Sequence, residues 1–405
     1  MVLTLSSPVF ASIELESRCN NRCPGCDNVF APERMPPLLS TQWRTILAKL
    51  KLHISRLRIT GGEPTLHPEF EEIIDFIHSL DIPFSLFTNA RWPYPEHLST
   101  FLSSIPQFTG FLISLHGAAA SHEAFTGVPK SFAETMANIR RAVAAGLSVT
   151  TNTVITKHNY SEVEQIVALS KELGAHHAVF NRYLGQHLPD IELTNAELKE
   201  AIQAIEHLRV AGYPAKFGNC TPQCFYRSSS TGCLAGVAYC TVDPWGNVRP
   251  CNHASLICGN LLEQSVEDVW NSEAMKHWRG LIPAQCESCL EFSKCHGGCR
   301  AVAMQLGIEK DPLIVKPILE KPDEPLTELT LYEGAHPISK FDIRPEEFGY
   351  VLIYGNRVVP VSHQAKVILD SLDGQTTLRQ IEETYGRPGL SFVGSLYQQG
   401  LVRLR

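Results

Sequence analysis

The chain has 405 residues, enough for two or three domains, and its apolar content permits a full core. A formal net charge of −7, with no Lys/Arg cluster to offset it, gives no support for nucleic-acid binding. The start, Met1–Phe10, lacks a basic segment and a long apolar run, and no stretch approaches the roughly eighteen apolar residues of a membrane span. A soluble, cytoplasmic protein is expected, in which thirteen cysteines read as metal ligands or reduced thiols rather than disulfides.

From about residue 9 to 212 the pattern alternates strand and helix. Strands are predicted at 9–16, 54–60, 82–88, 110–115, 147–155 and 176–181, and helices at 40–52, 68–80, 95–104, 131–145, 161–173 and 194–211. Ser161-x-x-Glu164 and Thr194-x-x-Glu197 read as capping boxes, and Gly146 and Gly174 as helix stops. Six such repeats imply an α/β fold with a parallel sheet, either a partial barrel or an open doubly wound sheet. In both, functional groups gather at the carboxyl ends of the strands, where Cys19, Gly61, Asn89, Ser114 and Asn152 fall.

Residues 213–305 are rich in Cys, Gly and turns, a region that metal would staple. The proline-rich stretch 306–330 reads as a linker. Residues 331–405 read as a small independent domain. In it, Tyr350–Tyr354 and Arg357–Val361 flank the hairpin signal Gly355-Asn356. Three short helices follow, bearing Leu369, Leu378 and Ile381, and Leu390, Val393 and Leu396, the second opening on Thr377-x-x-Gln380. Strands followed by three helices suggest a winged-helix-like α+β module.

Cys19, Cys23 and Cys26 form a C-x3-C-x2-C set that can hold three irons of a [4Fe–4S] cluster and leave the fourth open. Alone, the set also fits half of a zinc site. Gly61-Gly62-Glu63-Pro64 ends the next strand; its glycines permit close backbone approach, and Glu63 offers an acceptor to a cation. Together the two motifs resemble the radical S-adenosylmethionine (SAM) superfamily. That resemblance implies a partial (β/α)6 TIM barrel in which the open iron chelates SAM and Gly61–Pro64 binds the methionine amino group. Reductive cleavage of SAM then yields a 5′-deoxyadenosyl radical that takes hydrogen from an unactivated carbon. It also implies SAM contacts from Ser114 and Asn152, although Asn152 reads equally as a strand-end cap. Three positions depart from the family: Gly25 replaces an aromatic residue, His116 an aspartate, and Thr126 an arginine that meets the SAM carboxylate.

Cys233, Gly246, Cys251 and the run Cys286-x2-Cys289-x5-Cys295-x3-Cys299 resemble the SPASM extension, which binds auxiliary [4Fe–4S] clusters. A zinc ribbon of the last four cysteines is the alternative. By resemblance, one auxiliary cluster takes Cys233, Cys251, Cys299 and either Cys224 or Cys220, and a second takes Cys286, Cys289 and Cys295. The family's final cysteine is missing after Cys299, which leaves Cys240, Cys258, an oxygen ligand or an open iron as options.

Residues 331–405 resemble the peptide-binding domain of the pyrroloquinoline-quinone pathway and related RiPP recognition elements, which bind the leader of a ribosomally made, modified peptide as an added strand. The expected organisation is a radical SAM domain at 1–215, a SPASM domain at 216–305, a linker at 306–330 and a leader-binding domain at 331–405. The expected activity is oxidative modification of a precursor peptide by crosslinking, thioether or ether formation, or backbone excision. A low-potential flavodoxin or ferredoxin is the expected electron donor. A haem-pathway decarboxylase, a sulfatase-maturase-like oxidase and a non-enzymatic iron–sulfur scaffold are the alternatives.

Overall fold

The computed structural model describes residues 4–26, 35–185, 187–218, 221–227, 232–320, 333–355 and 357–405. Cys220, Asn356 and residues 321–330 of the expected linker lie outside them. The chain divides into two compact units, 1–318 and 319–405.

In the first unit, strands β1 (Phe10–Glu16), β2 (Arg56–Gly61), β3 (Phe84–Thr88), β4 (Phe108–Ser114), β5 (Val149–Ile155), β6 (His177–Arg182) and β7 (Ala215–Phe217) alternate with helices. The helices are α1 (Ser40–Lys51), α2 (Phe70–Ser79), α3 (Pro95–Ser103), α4 (Ala119–Thr126), α5 (Ser131–Ala144), α6 (Val163–Glu172) and α7 (Asn195–Val210). β1 to β7 pair in sequence, all parallel. On the far side of β1 the sheet continues with β8 (Tyr239–Val242), parallel to it, and then antiparallel β9 (Asn247–Arg249) and β10 (Gly259–Asn260).

Strand alternation gives the sheet two different faces. Ile13, Leu57, Ile59, Leu86, Phe111 and Ile113 are buried in one core with Trp43, Ile46, Ile74 and Ile139 from the helices. Arg58, Thr60, Phe87, Ser114, Asn152 and Asn181 point the other way and remain half-exposed. The polar face is therefore the one open to a ligand.

The predicted strands and helices of this region all form. The Ser161 capping box does not, because the chain enters α6 through a 3-10 turn at Tyr160–Glu162, and Glu162 instead accepts the backbone N–H of Ala118 at 2.9 Å. Thr194 does cap α7, with reciprocal bonds to Glu197. Helices α8 (Val266–Trp270), α9 (Glu273–Gly280), α10 (Phe292–Cys295) and α11 (Arg300–Gln305) complete the unit. The unit runs to Ile318, so residues 306–318 are packed rather than linking, with Asp311 and Leu313 buried.

The second unit holds β11 (Pro337–Ser339) paired with β15 (Val402–Leu404), and the sheet β12 (Asp342–Glu346), β13 (Gly349–Tyr354) and β14 (Arg357–Ser362). β13 and β14 pair with Tyr354 opposite Arg357, the hairpin register predicted from Gly355-Asn356. After α12 (Lys366–Leu369), the long α13 (Leu378–Gln398) is broken at Gly386, with φ of 68°, into the two helical segments the sequence suggests. Leu352, Leu369, Leu378, Ile381, Val393 and Leu396 share one core. β12 and β14 are the edges of the three-stranded sheet.

Candidate functional site

Cys19, Cys23 and Cys26 lie just past the carboxyl end of β1. The backbone N–H of Asn21 and the side-chain amide of Asn89 donate to the Cys19 sulfur at 3.4 and 3.5 Å. Arg91 ties the loop down through the Asn20 carbonyl and the Asn21 side chain, and Arg22 N–H donates to the Thr126 carbonyl at 2.8 Å. Desolvation, with the neighbouring thiols adding to it, pushes Cys19 up to about 11 and Cys23 to about 12. Thiolates gathered this way fit a cationic iron centre, since metal ligation is what deprotonates clustered thiols.

The glycine motif makes a close backbone contact within the chain itself. A Cβ on Gly61 would meet the Glu16 carbonyl oxygen at 2.4 Å, and one on Gly62 the Arg18 oxygen at 2.3 Å. The two glycines thus let the end of β2 run against the segment leading into Cys19, with Gly62 N–H bonded to Glu16 at 2.6 Å. Glu63 is fully buried and turned inward. Its carboxylate accepts from Thr65 N–H and hydroxyl at 3.3 and 2.7 Å, the Thr88 hydroxyl at 2.9 Å and Asn89 N–H at 2.9 Å. Burial raises its pKa, and these donors act against that rise. Pro64 starts the 3-10 turn that Glu63 caps.

Ser114 and Asn152 are register partners on β4 and β5, both on the open face. Asn152 accepts from the Asn181 amide of β6 at 2.5 Å. His116 is structural: its Nδ1 accepts Val154 N–H at 3.2 Å, and burial lowers its pKa to about 3. Sequence reasoning missed Tyr183. A Cβ on Gly25 would lie 1.7 Å from its hydroxyl oxygen, so the ring of this residue occupies the space beside Gly25.

The middle cysteines fall into three groups. Cys251 is raised by burial and by the proximity of Cys233 and Cys299. Its loop is held by Arg249, which bonds the Asn252 and Ala254 carbonyls and pairs with Glu14 of β1. Asp311 accepts Cys299 N–H at 2.8 Å and forms a two-pronged pair with Arg182 at 3.1 and 2.5 Å. Cys286, Cys289 and Cys295 line a small pocket, and its fourth thiol is Cys224. The expectation from resemblance offered Cys224 or Cys220 to the set of Cys233, Cys251 and Cys299; Cys224 instead lies beside Cys286, Cys289 and Cys295. This grouping also separates Cys299 from the other three members of the alternative zinc ribbon. The Cys295 sulfur receives backbone N–H bonds from Gln223, Gly297 and Gly298, the kind of donors that surround cluster sulfurs. Cys240 and Cys258 form the third group. They are buried beside Arg279, and desolvation pushes them up to about 12 and 11. Neither lines the cavity of Cys224.

Among the described residues no helix is long and apolar enough to cross a membrane. Residues 13–170 match the Radical SAM superfamily, and residues 233–296 match SPASM, an iron-sulfur cluster-binding domain. An AdoMet-dependent heme synthase of Methanosarcina barkeri is 26% identical over 75% of this chain and 94% of its own length. A PqqA peptide cyclase of Xanthomonas campestris pv. campestris is 27% identical over 78% of this chain and 88% of its own. SuiB of Streptococcus suis, solved bound to precursor peptide SuiA, superposes with a TM-score of 0.66 at 18% identity, over 76% of each chain, and shares the fold. The first unit has the α/β radical SAM fold, and the chain is a radical SAM enzyme with a SPASM region, whose cofactors are S-adenosylmethionine, a SAM-binding [4Fe–4S] cluster and auxiliary [4Fe–4S] clusters.

Proposed function

We propose that this enzyme oxidatively modifies a ribosomally made precursor peptide whose leader is held by residues 331–405. The observation that carries the reading is a second compact unit, with its three-stranded sheet and two edge strands, in a chain that also holds the cysteine sets. A strand added to such an edge gains main-chain hydrogen bonds, and side-chain pockets supply choice. The likeness to a peptide cyclase, and to a fold solved with its precursor peptide, supports it.

When bound, the first cluster and SAM supply one-electron cleavage of the sulfonium and, from it, hydrogen abstraction at an unactivated carbon. Cys19, Cys23 and Cys26 hold that cluster, and Asn89 and Asn21 donate to Cys19 and set its orientation. Gly61 and Gly62 seat the cysteine segment against β2, while Glu63 and Pro64 fix the turn beside it. Ser114 and Asn152 contact SAM from the open face of the sheet, here read as the lumen of a partial barrel. Cys233, Cys251 and Cys299 hold one auxiliary cluster, and Cys224, Cys286, Cys289 and Cys295 hold the other. A low-potential flavodoxin or ferredoxin supplies the electron.

The likeness to a heme synthase supports a second reading, a small-molecule substrate. Co-expression with each short open reading frame flanking the gene, read by mass spectrometry, separates the two. Hydrogen loss from one peptide, abolished by Cys19→Ala, establishes the peptide reading. Unchanged peptides beside active SAM cleavage favour the small molecule.

A further inference from the structure

Two arginines sit on the open face of β2, Arg56 and Arg58, both partly buried. The Arg58 guanidinium is stacked over aromatic rings, 4.8 Å from the centroid of Phe10, 5.7 Å from Tyr239 and 5.9 Å from Phe87. Phe10 and Tyr239 are themselves stacked at 5.2 Å, which makes a flat, rigid wall. Among the described residues neither guanidinium has a hydrogen-bond or carboxylate partner. The other arginines of the sheet are treated differently: Arg182 is paired with Asp311, and Arg249 with Glu14. Desolvation disfavours the Arg58 charge, and Arg56 adds like-charge repulsion. Ring faces compensate a buried cation only in part, and a planar fork of donors held against them is pre-organised for a carboxylate. Arg58 stands two residues before Thr60 on the strand that ends in Gly61-Gly62. An anion held there lies below the SAM-binding end of the strand, inside the ligand face.

We propose that Arg58, assisted by Arg56, forms an anion subsite that takes a carboxylate of the peptide, an Asp or Glu side chain or the C-terminus, and so fixes which residue is offered to the radical centre. This rests on the peptide reading above. The subsite makes the enzyme select an acidic group close to the modified position.

The test has two arms. In the first, the reconstituted full-length enzyme is titrated with N-acetylglutamate amide and with its neutral glutamine counterpart, at matched ionic strength, and thermal unfolding is followed. The subsite predicts stabilisation by the acidic compound alone, loss of that response in Arg58→Met, and no fall in Tm on the substitution itself. A lower Tm in Arg58→Met with an unchanged response to the acid would make the guanidinium a packing element and overturn the proposal. In the second arm, each acidic residue of a modified precursor is changed to its amide. A tenfold or greater loss of modification at one position, matched by Arg58→Met with wild-type peptide, supports the proposal; equal processing of every amide variant overturns it. Weakened SAM binding in Arg58→Met would assign the site to the SAM carboxylate and also overturn it. The first arm needs no peptide. A positive result there with no peptide modified by wild-type enzyme would therefore sink the peptide assignment and leave the anion site standing.

Discussion

The Glu63 carboxylate accepts the backbone N–H of Asn89 at 2.9 Å, and the Asn89 side chain donates in turn to Asn20 at 2.7 Å and to the Cys19 sulfur at 3.5 Å. The glycine motif and the cysteine loop are therefore joined through the end of β3. An amide in place of the carboxylate would set an N–H2 against donors from Thr65, Thr88 and Asn89. Glu63→Gln should cost about 1–3 kcal/mol, the range for leaving buried polar groups unpaired. Denaturant unfolding gives the cost, and iron content after reconstitution shows whether Cys19 is still held.

Gly62→Ala introduces a methyl group 2.3 Å from the Arg18 oxygen, where backbone must move. A displacement of about 1 Å at a reacting centre is worth about a hundredfold in rate. Formation of 5′-deoxyadenosine should fall by about that factor. A near wild-type rate would show that the segment Glu16–Arg18 tolerates the shift.

Cys224→Ala removes the fourth thiol of the cavity shared with Cys286, Cys289 and Cys295. The expected result is loss of up to about four irons per chain, with altered auxiliary-cluster EPR signals. Cys240→Ala, which changes the buried pair beside Arg279, should leave the iron content intact. Equal iron loss in both variants would break the distinction between the two groups.

Asp311 is wholly buried against Arg182, and breaking such a pair from one side strands a charge. Arg182→Met should destabilise the first unit by about 3–5 kcal/mol, and Arg182→Met with Asp311→Leu by less. The double variant also frees the Cys299 N–H, so its auxiliary cluster should be lost more readily to a chelator than in wild type.

Deleting residues 319–405 should leave SAM cleavage by the first unit and abolish peptide modification. Modification that persists at the wild-type rate would remove the leader-binding role from the second unit.

The repeating strands and helices of the sheet were readable because the apolar residues of β1–β6 and their helices follow period 2 and period 3.6. Helix α4 escaped notice: Ala119–Thr126 carries only one large apolar residue, Phe125, and is held by Ser121, His122 and Thr126 packing inward. The local cysteine spacings pointed to clusters but not to how distant cysteines combine. Cys224 lies about sixty residues before Cys286, and only the folded path of the chain decides which group it joins. For the same reason, spacing was silent on Asp311. It falls in a stretch whose prolines suggest a linker, yet it is the buried partner of both Arg182 and Cys299.

Gly25 and Tyr183 are far apart in sequence and share one space, since a Cβ at position 25 would stand 1.7 Å from the tyrosine oxygen, and one on Gly185 only 2.1 Å from the Gly25 carbonyl oxygen. The cysteine loop is consequently not an interchangeable cassette. Grafting in a loop with an aromatic residue at 25 requires Tyr183 to shrink at the same time. Either change made alone leaves a collision or a hollow at the mouth of the site, so these two positions are free to vary only together.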